Sequence, residues 1–159
     1  MFDIIWRTIA IGIGATALMD LWAILLNKLF GLPKSNWKLV GRWVWHIRSG
    51  KIFHDDIGKA ESYVHETALG WAFHYAVGIV YGIVLVVCAG PGWLDAPTFL
   101  PAFVIGIVTV AAGWFLLAPG MGAGWASSKR PNAVLIRCLN LVSHTVFGLG
   151  LYGTALLIR

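Results

Sequence analysis

Asp20 stands well inside the first long apolar run of this chain. A carboxylate at the centre of a membrane helix costs about 2.5–3.5 kcal/mol on insertion scales, so it must face a bundle interior or a wet cavity. There it needs a partner or a proton. The chemistry open to it is a proton relay, a cation ligand, or a structural hydrogen bond. Two histidines, His74 and His144, also fall inside apolar runs. At 1.5 Å per residue, Asp20 and His144 lie roughly 15 and 16 Å from one membrane face, and His74 roughly 10 Å, level with Asn140. These depths predict an Asp20–His144 layer at mid-membrane with a His74–Asn140 layer beneath it. A carboxylate beside an imidazole favours the charged ring, and burial opposes it. Glu66, one turn before Gly70 and two before His74, and Arg137, one turn before Asn140, are placed to form the mouth of such a polar seam. Asp20, His74, His144, Asn140, Glu66 and Arg137 are therefore the candidate ligand or proton residues.

A second group of polar side chains lies between the first two apolar runs: His46, His54, Asp55, Asp56, Glu61, His65 and Glu66. His54, Asp55, Asp56 and His65 are the weak candidates for metal ligands, because imidazole and carboxylate are competent donors. No HExxH, paired CxxC or DxDxDG pattern organises them, so a solvated loop is the expectation and no metal is predicted. Haem held by His74 and His144 would need both rings at one height, and their depths differ by about 6 Å at 1.5 Å per residue. No cofactor is expected. Ser143 and His144 are sequence neighbours whose side chains diverge on a helix. The glycine-rich run from Gly120 to Gly124 has neither a preceding strand nor a trailing lysine, so it is not a phosphate loop.

The elements that must position these groups follow from composition. Hydrophobic residues make up 58% of the 159 and charged residues 12%, about half the usual charged fraction of about 25%. Mean hydropathy is +0.77. A span needs about 20 apolar residues, and four runs qualify: about 4–30, 67–89, 98–118 and 133–158. They end at Gly31-Leu32-Pro33, at Gly90-Pro91-Gly92 and at Pro119-Gly120, all turn signals. The first run reads as a retained span rather than a cleaved signal. The expected fold is all-α, a four-helix transmembrane bundle forming a single transmembrane domain over 1–159. Gly70, His74, Gly78 and Gly82 recur every fourth residue, and Gly106, Gly113 and Gly120 every seventh. Arg137, Asn140, His144 and Gly148 share a face, as do Thr16, Asp20 and Asn27. Small residues let membrane helices approach, and polar ones bond across the seam.

The long connection, 31–66, carries a short helix. Ser35 is its expected N-cap, and Trp37, Val40, Val44 and Ile47 form a stripe with Lys38, Arg42 and Arg48 off it. Gly50 is a natural terminator. This pattern predicts an amphipathic helix lying in the membrane interface. Lys34, Lys38, Arg42, Arg48, Lys51, Lys59, Lys129 and Arg130 fall on one side of the membrane, against Arg7 and Arg159 on the other. The positive-inside rule makes the basic loops cytoplasmic and both termini periplasmic. The partner of this basic charge is the lipid bilayer rather than nucleic acid. Cys88 and Cys138 fall most of a bilayer apart, beyond the Cα separation of about 7 Å that a disulfide allows.

Four segments carry a family resemblance: Leu39-Val-Gly-Arg-Trp43, Glu66 with Leu69-Gly-Trp-Ala-Phe-His-Tyr75, Met121-Gly-Ala-Gly124, and His144-Thr-Val-Phe-Gly-Leu-Gly-Leu-Tyr152. The chain resembles a family of small bacterial four-span inner-membrane proteins catalogued only as a domain of unknown function. The resemblance implies a bacterial inner membrane and transfers no activity. Three functional classes remain: a small transport or ligand-binding module, working as a homo-oligomer or within a larger complex; a membrane-embedded enzyme acting on a lipid or isoprenoid; and a structural or assembly subunit. The first is the leading expectation, and no catalytic residue is assigned.

Overall fold

The computed structural model describes all 159 residues. Four helices are long and apolar enough to cross a membrane: α1 (Phe2–Phe30), α3 (Glu66–Ala89), α4 (Phe99–Gly120) and α5 (Ala133–Leu157). Between α1 and α3 lies the short helix α2 (Trp37–Ile47). The chain is all-helical, as its apolar runs predict, because a bilayer leaves the backbone no partner outside its own segment. Gly31 closes α1 in the left-handed conformation, with its N–H on the Asn27 carbonyl at 3.0 Å, which only a residue without Cβ adopts at low cost.

Two details differ from the sequence reading. The N-cap of α2 is Asn36, not Ser35; the Asn36 side chain accepts the Leu39 N–H at 3.3 Å. The third span does not stop before Pro119. It continues to Gly120 through a π-helical turn over Gly113–Leu117, in which the Ala118 N–H reaches back to the Gly113 carbonyl. Proline has no N–H and its ring crowds the carbonyl four residues earlier. The wider π turn just ahead of Pro119 accommodates both defects.

The contacts divide into two compact units, residues 1–34, 75–109 and 141–159 in one, and 35–74 and 110–140 in the other. The core of the first is Ile11, Ala15, Leu85, Val86, Trp93, Leu94, Ala102, Phe147, Leu151 and Ala155. Its helices meet backbone to backbone at glycines. A Cβ on Gly12 would lie 2.6 Å from the Gly78 carbonyl oxygen, and one on Gly106 would lie 2.6 Å from the Gly148 Cα. The expected four-residue glycine spacing on α3 is thus a packing seam. Gly113, by contrast, has nothing near its missing Cβ, so the seven-residue pattern of α4 is not one continuous contact. At the start of α1 the buried Arg7 binds Asp3 and Asp95 at 3.2 and 3.0 Å and the Leu94 carbonyl.

The second unit is built on α2 against the first turns of α3. A Cβ on Gly41 would overlap the Glu66 carbonyl oxygen, and one on Gly70 the Trp37 carbonyl oxygen, so each helix needs glycine where the other passes. The buried face of α2 is Val40, Gly41, Arg42 and Trp43. Val44 is only half-buried and Ile47 is exposed. The apolar stripe is therefore rotated, and protein covers much of it. Trp43 Nε1 donates to the Ile52 carbonyl at 2.7 Å, and the segment beyond is held by His54 N–H to Gly120 O and Ile57 N–H to Met121 O.

Candidate functional site

Asp20 is half-buried on α1, and the Tyr75 hydroxyl donates to its Oδ2 at 3.0 Å. Both residues lie in the first unit. A tyrosine carries an apolar ring with a polar tip, which suits it to reach a carboxylate from within an apolar helix. In the same unit, His144 on α5 bonds across to α4. Its Nδ1 is 3.0 Å from Thr109 Oγ1 and 3.1 Å from the Gly106 carbonyl, to which Thr109 also donates at 2.7 Å. A carbonyl only accepts, so Nδ1 carries the hydrogen. His144 is thus committed to α4 and is not bonded to Asp20. The close Gly106–Gly148 approach is what brings α5 near enough for this bond.

The remaining candidates fall in the second unit. The His74 ring stacks on Trp37 with centroids 3.8 Å apart. In the orientation that satisfies both its groups, the Asn140 amide donates to the Ile136 carbonyl at 3.3 Å and accepts from Trp114 Nε1 at 3.1 Å. Arg137 Nε donates to the Ala126 carbonyl at 2.8 Å, pinning the loop 121–132 in which Ala126 has a positive φ of 46°.

Glu66 is buried and held by Arg42 in a two-pronged pair, Nε to Oε2 at 2.8 Å and Nη2 to Oε1 at 3.1 Å. Lys38 adds a third contact at 3.4 Å. Arg42 Nη1 also lies within bonding distance of the Ile57, Gly58 and Ala60 carbonyls. The bonds to Glu66 hold the Arg42 guanidinium above its ordinary value. Arg42 was expected off the buried stripe, facing water or headgroups; it is instead the centre of a buried knot. The reason is that Glu66 sits where α2 crosses α3, and a buried carboxylate needs a donor set of this kind. A planar, five-donor group serves one carboxylate and several carbonyls at once.

Among the weak metal candidates, Asp56 caps Gly58 N–H at 2.9 Å, and His65 packs edge-on to Tyr63. No three His, Cys, Asp or Glu side chains converge. Both cysteines are free and exposed. Two apolar grooves open on the first unit, one of about 540 Å³ between α1 and α5 around Gly14, Leu18, Gly150 and Gly153, the other of about 360 Å³ between α1 and α3. Neither is lined by Asp20 or His144.

A family model of the kind described as a protein of unknown function, DUF2938, matches residues 9–158. The chain belongs to that family. No curated protein and no solved structure gives a significant match. Three of the motif segments quoted above meet in the second unit. Arg42 in the first binds Glu66 in the second, and the Met121 carbonyl of the third accepts from Ile57, one residue before the Gly58 carbonyl that Arg42 bonds. The fourth, from His144 to Tyr152, supplies the α4 and α1 contacts of the first unit.

Proposed function

We propose that this membrane protein is a small transport or ligand-binding module whose polar centre is the Asp20–Tyr75 pair. The observation that carries the reading is a carboxylate set inside an apolar helix, bonded to a tyrosine hydroxyl at 3.0 Å and only half-buried. A group so costly to place in hydrocarbon is expected at an ion, proton or ligand pathway. Glu66 does not serve as a free acid or base in this reading, since Arg42 and Lys38 already engage it. The protein is taken to sit in a bacterial inner membrane, which is what the resemblance implies. The termini are taken as periplasmic, because the loop 31–66 carries Lys34, Lys38, Arg42, Arg48, Lys51 and Lys59 and the positive-inside rule counts lysine and arginine.

A second reading, an assembly subunit, is favoured by His144, whose Nδ1 is used to join α5 to α4. Native mass spectrometry of the protein extracted with its lipids separates the two. The module reading expects a small molecule or ion retained by wild type and lost in Asp20→Asn and Tyr75→Phe. Retention of stoichiometric protein partners, with no small-molecule ligand sensitive to either substitution, would instead establish the assembly role.

A further inference from the structure

His46, in the last turn of α2, faces His54 in the segment that follows; the ring centroids are 5.1 Å apart and the planes nearly perpendicular at 84°. Each ring places one nitrogen on a backbone carbonyl. His54 Nδ1 is 3.2 Å from Gly120 O, and His46 Nε2 is 2.9 Å from Glu61 O. Carbonyl oxygens only accept, so both of these nitrogens carry the hydrogen and both tautomers follow. In the neutral ring the other nitrogens, His54 Nε2 and His46 Nδ1, carry the lone pairs. His54 is only 8% exposed, and its Nε2 is enclosed without a hydrogen-bond partner. A buried acceptor left unmet is destabilising.

An imidazole whose N–H is tied to a carbonyl and whose second nitrogen is bare is the form in which histidine binds metals, the carbonyl orienting the ring. Both rings are in that form. Bonds of about 2.0–2.1 Å to zinc are short enough for one ion to lie between neighbouring rings. Since no three donor side chains converge, the protein supplies two ligands, and water completes the shell from the side of His46, which is only half-buried. Imidazole suits copper, nickel and zinc, and the general affinity order makes Cu²⁺ the tightest.

We propose that His54 Nε2 and His46 Nδ1 form a two-imidazole site for a first-row transition-metal ion. This inference does not rest on the Asp20–Tyr75 reading. The test uses the full chain, without a polyhistidine tag, in detergent micelles titrated with Cu²⁺ and read by paramagnetic resonance. One equivalent should bind with coupling to two nitrogens. His46→Gln and His54→Gln should each weaken binding at least about tenfold, since losing even a group that orients a ligand costs that much, while His65→Gln leaves it unchanged. In His54→Gln the side-chain amide still offers an N–H to Gly120 O. As a readout on the unmutated chain, Zn²⁺ should shift the ring resonances of His46 and His54 together in nuclear magnetic resonance spectra and leave those of His65 in place. Absence of one-equivalent binding, binding indifferent to both substitutions, or no joint shift would overturn the site.

Discussion

Removing the Glu66 carboxylate should unseat α2 more than any change on the exposed surface of the loop 31–66. Arg42 and Glu66 are 9% and 4% exposed in their side chains, and the pair closes through two short bonds. Deleting one partner of a buried pair typically costs about 3–5 kcal/mol, because the other charge is left stranded. Glu66→Ala strands Arg42, whose Nη1 keeps the carbonyls of Ile57, Gly58 and Ala60 but whose charge has lost its counterion. We therefore expect about 3–5 kcal/mol from Glu66→Ala. Arg42→Leu loses the pair and the three carbonyl contacts together, although Lys38 still reaches Glu66. The double variant Arg42→Leu/Glu66→Leu removes both charges, so it should recover part of the loss. What remains should be the carbonyl bonds, each worth about 1 kcal/mol net. Reversible unfolding in mixed micelles, followed by circular dichroism and tryptophan fluorescence, reads all three. A Glu66→Ala cost below about 1 kcal/mol, the range of a solvent-exposed pair, would refute the claim that this network is buried and structural.

The glycine contacts make steric predictions. Gly70→Ala should destabilise by about 1–3 kcal/mol or more, as overpacking does, since its Cβ would meet the Trp37 carbonyl, whereas Gly92→Ala, with open space around it, should unfold like wild type. Gly106→Ala should separate α4 from α5 and break the His144–Thr109 bond; the His144 ring resonances should shift in nuclear magnetic resonance spectra, and unchanged resonances would contradict the packing. A periplasmic enzyme reporter fused after Arg159 should be active, and an active cytoplasmic reporter there would reverse the proposed orientation.

The spans were legible because hydrocarbon thickness demands long apolar runs and because glycine and proline mark their ends. The glycine spacing of α3 announced close approach, and Gly78 and Gly82 do meet the α1 backbone. The partners were less legible. Depth counting matched Asp20 to His144 in height, but helix rotation is set by packing with neighbours. Asp20 is turned toward Tyr75, 55 residues away, and His144 toward Thr109. Arg42 departs from the local pattern for a related reason. An apolar stripe assigns charged residues to the wet face, yet Glu66, 24 residues downstream, draws Arg42 inward at the helix crossing. No local pattern encodes that pairing. The His46–His54 contact was hidden likewise, since His54 is buried by Gly120, 66 residues beyond it.

The importance of the Asp20–Tyr75 centre can be measured directly in proteoliposomes holding an imposed pH gradient and a trapped pH-sensitive dye. Asp20→Asn keeps an oxygen to accept from Tyr75 and removes only the ionisable group. Wild-type vesicles should dissipate the gradient faster than protein-free vesicles, and Asp20→Asn should return the rate to the protein-free value with the protein still inserted and folded. Equal rates for wild type and Asp20→Asn would contradict the account.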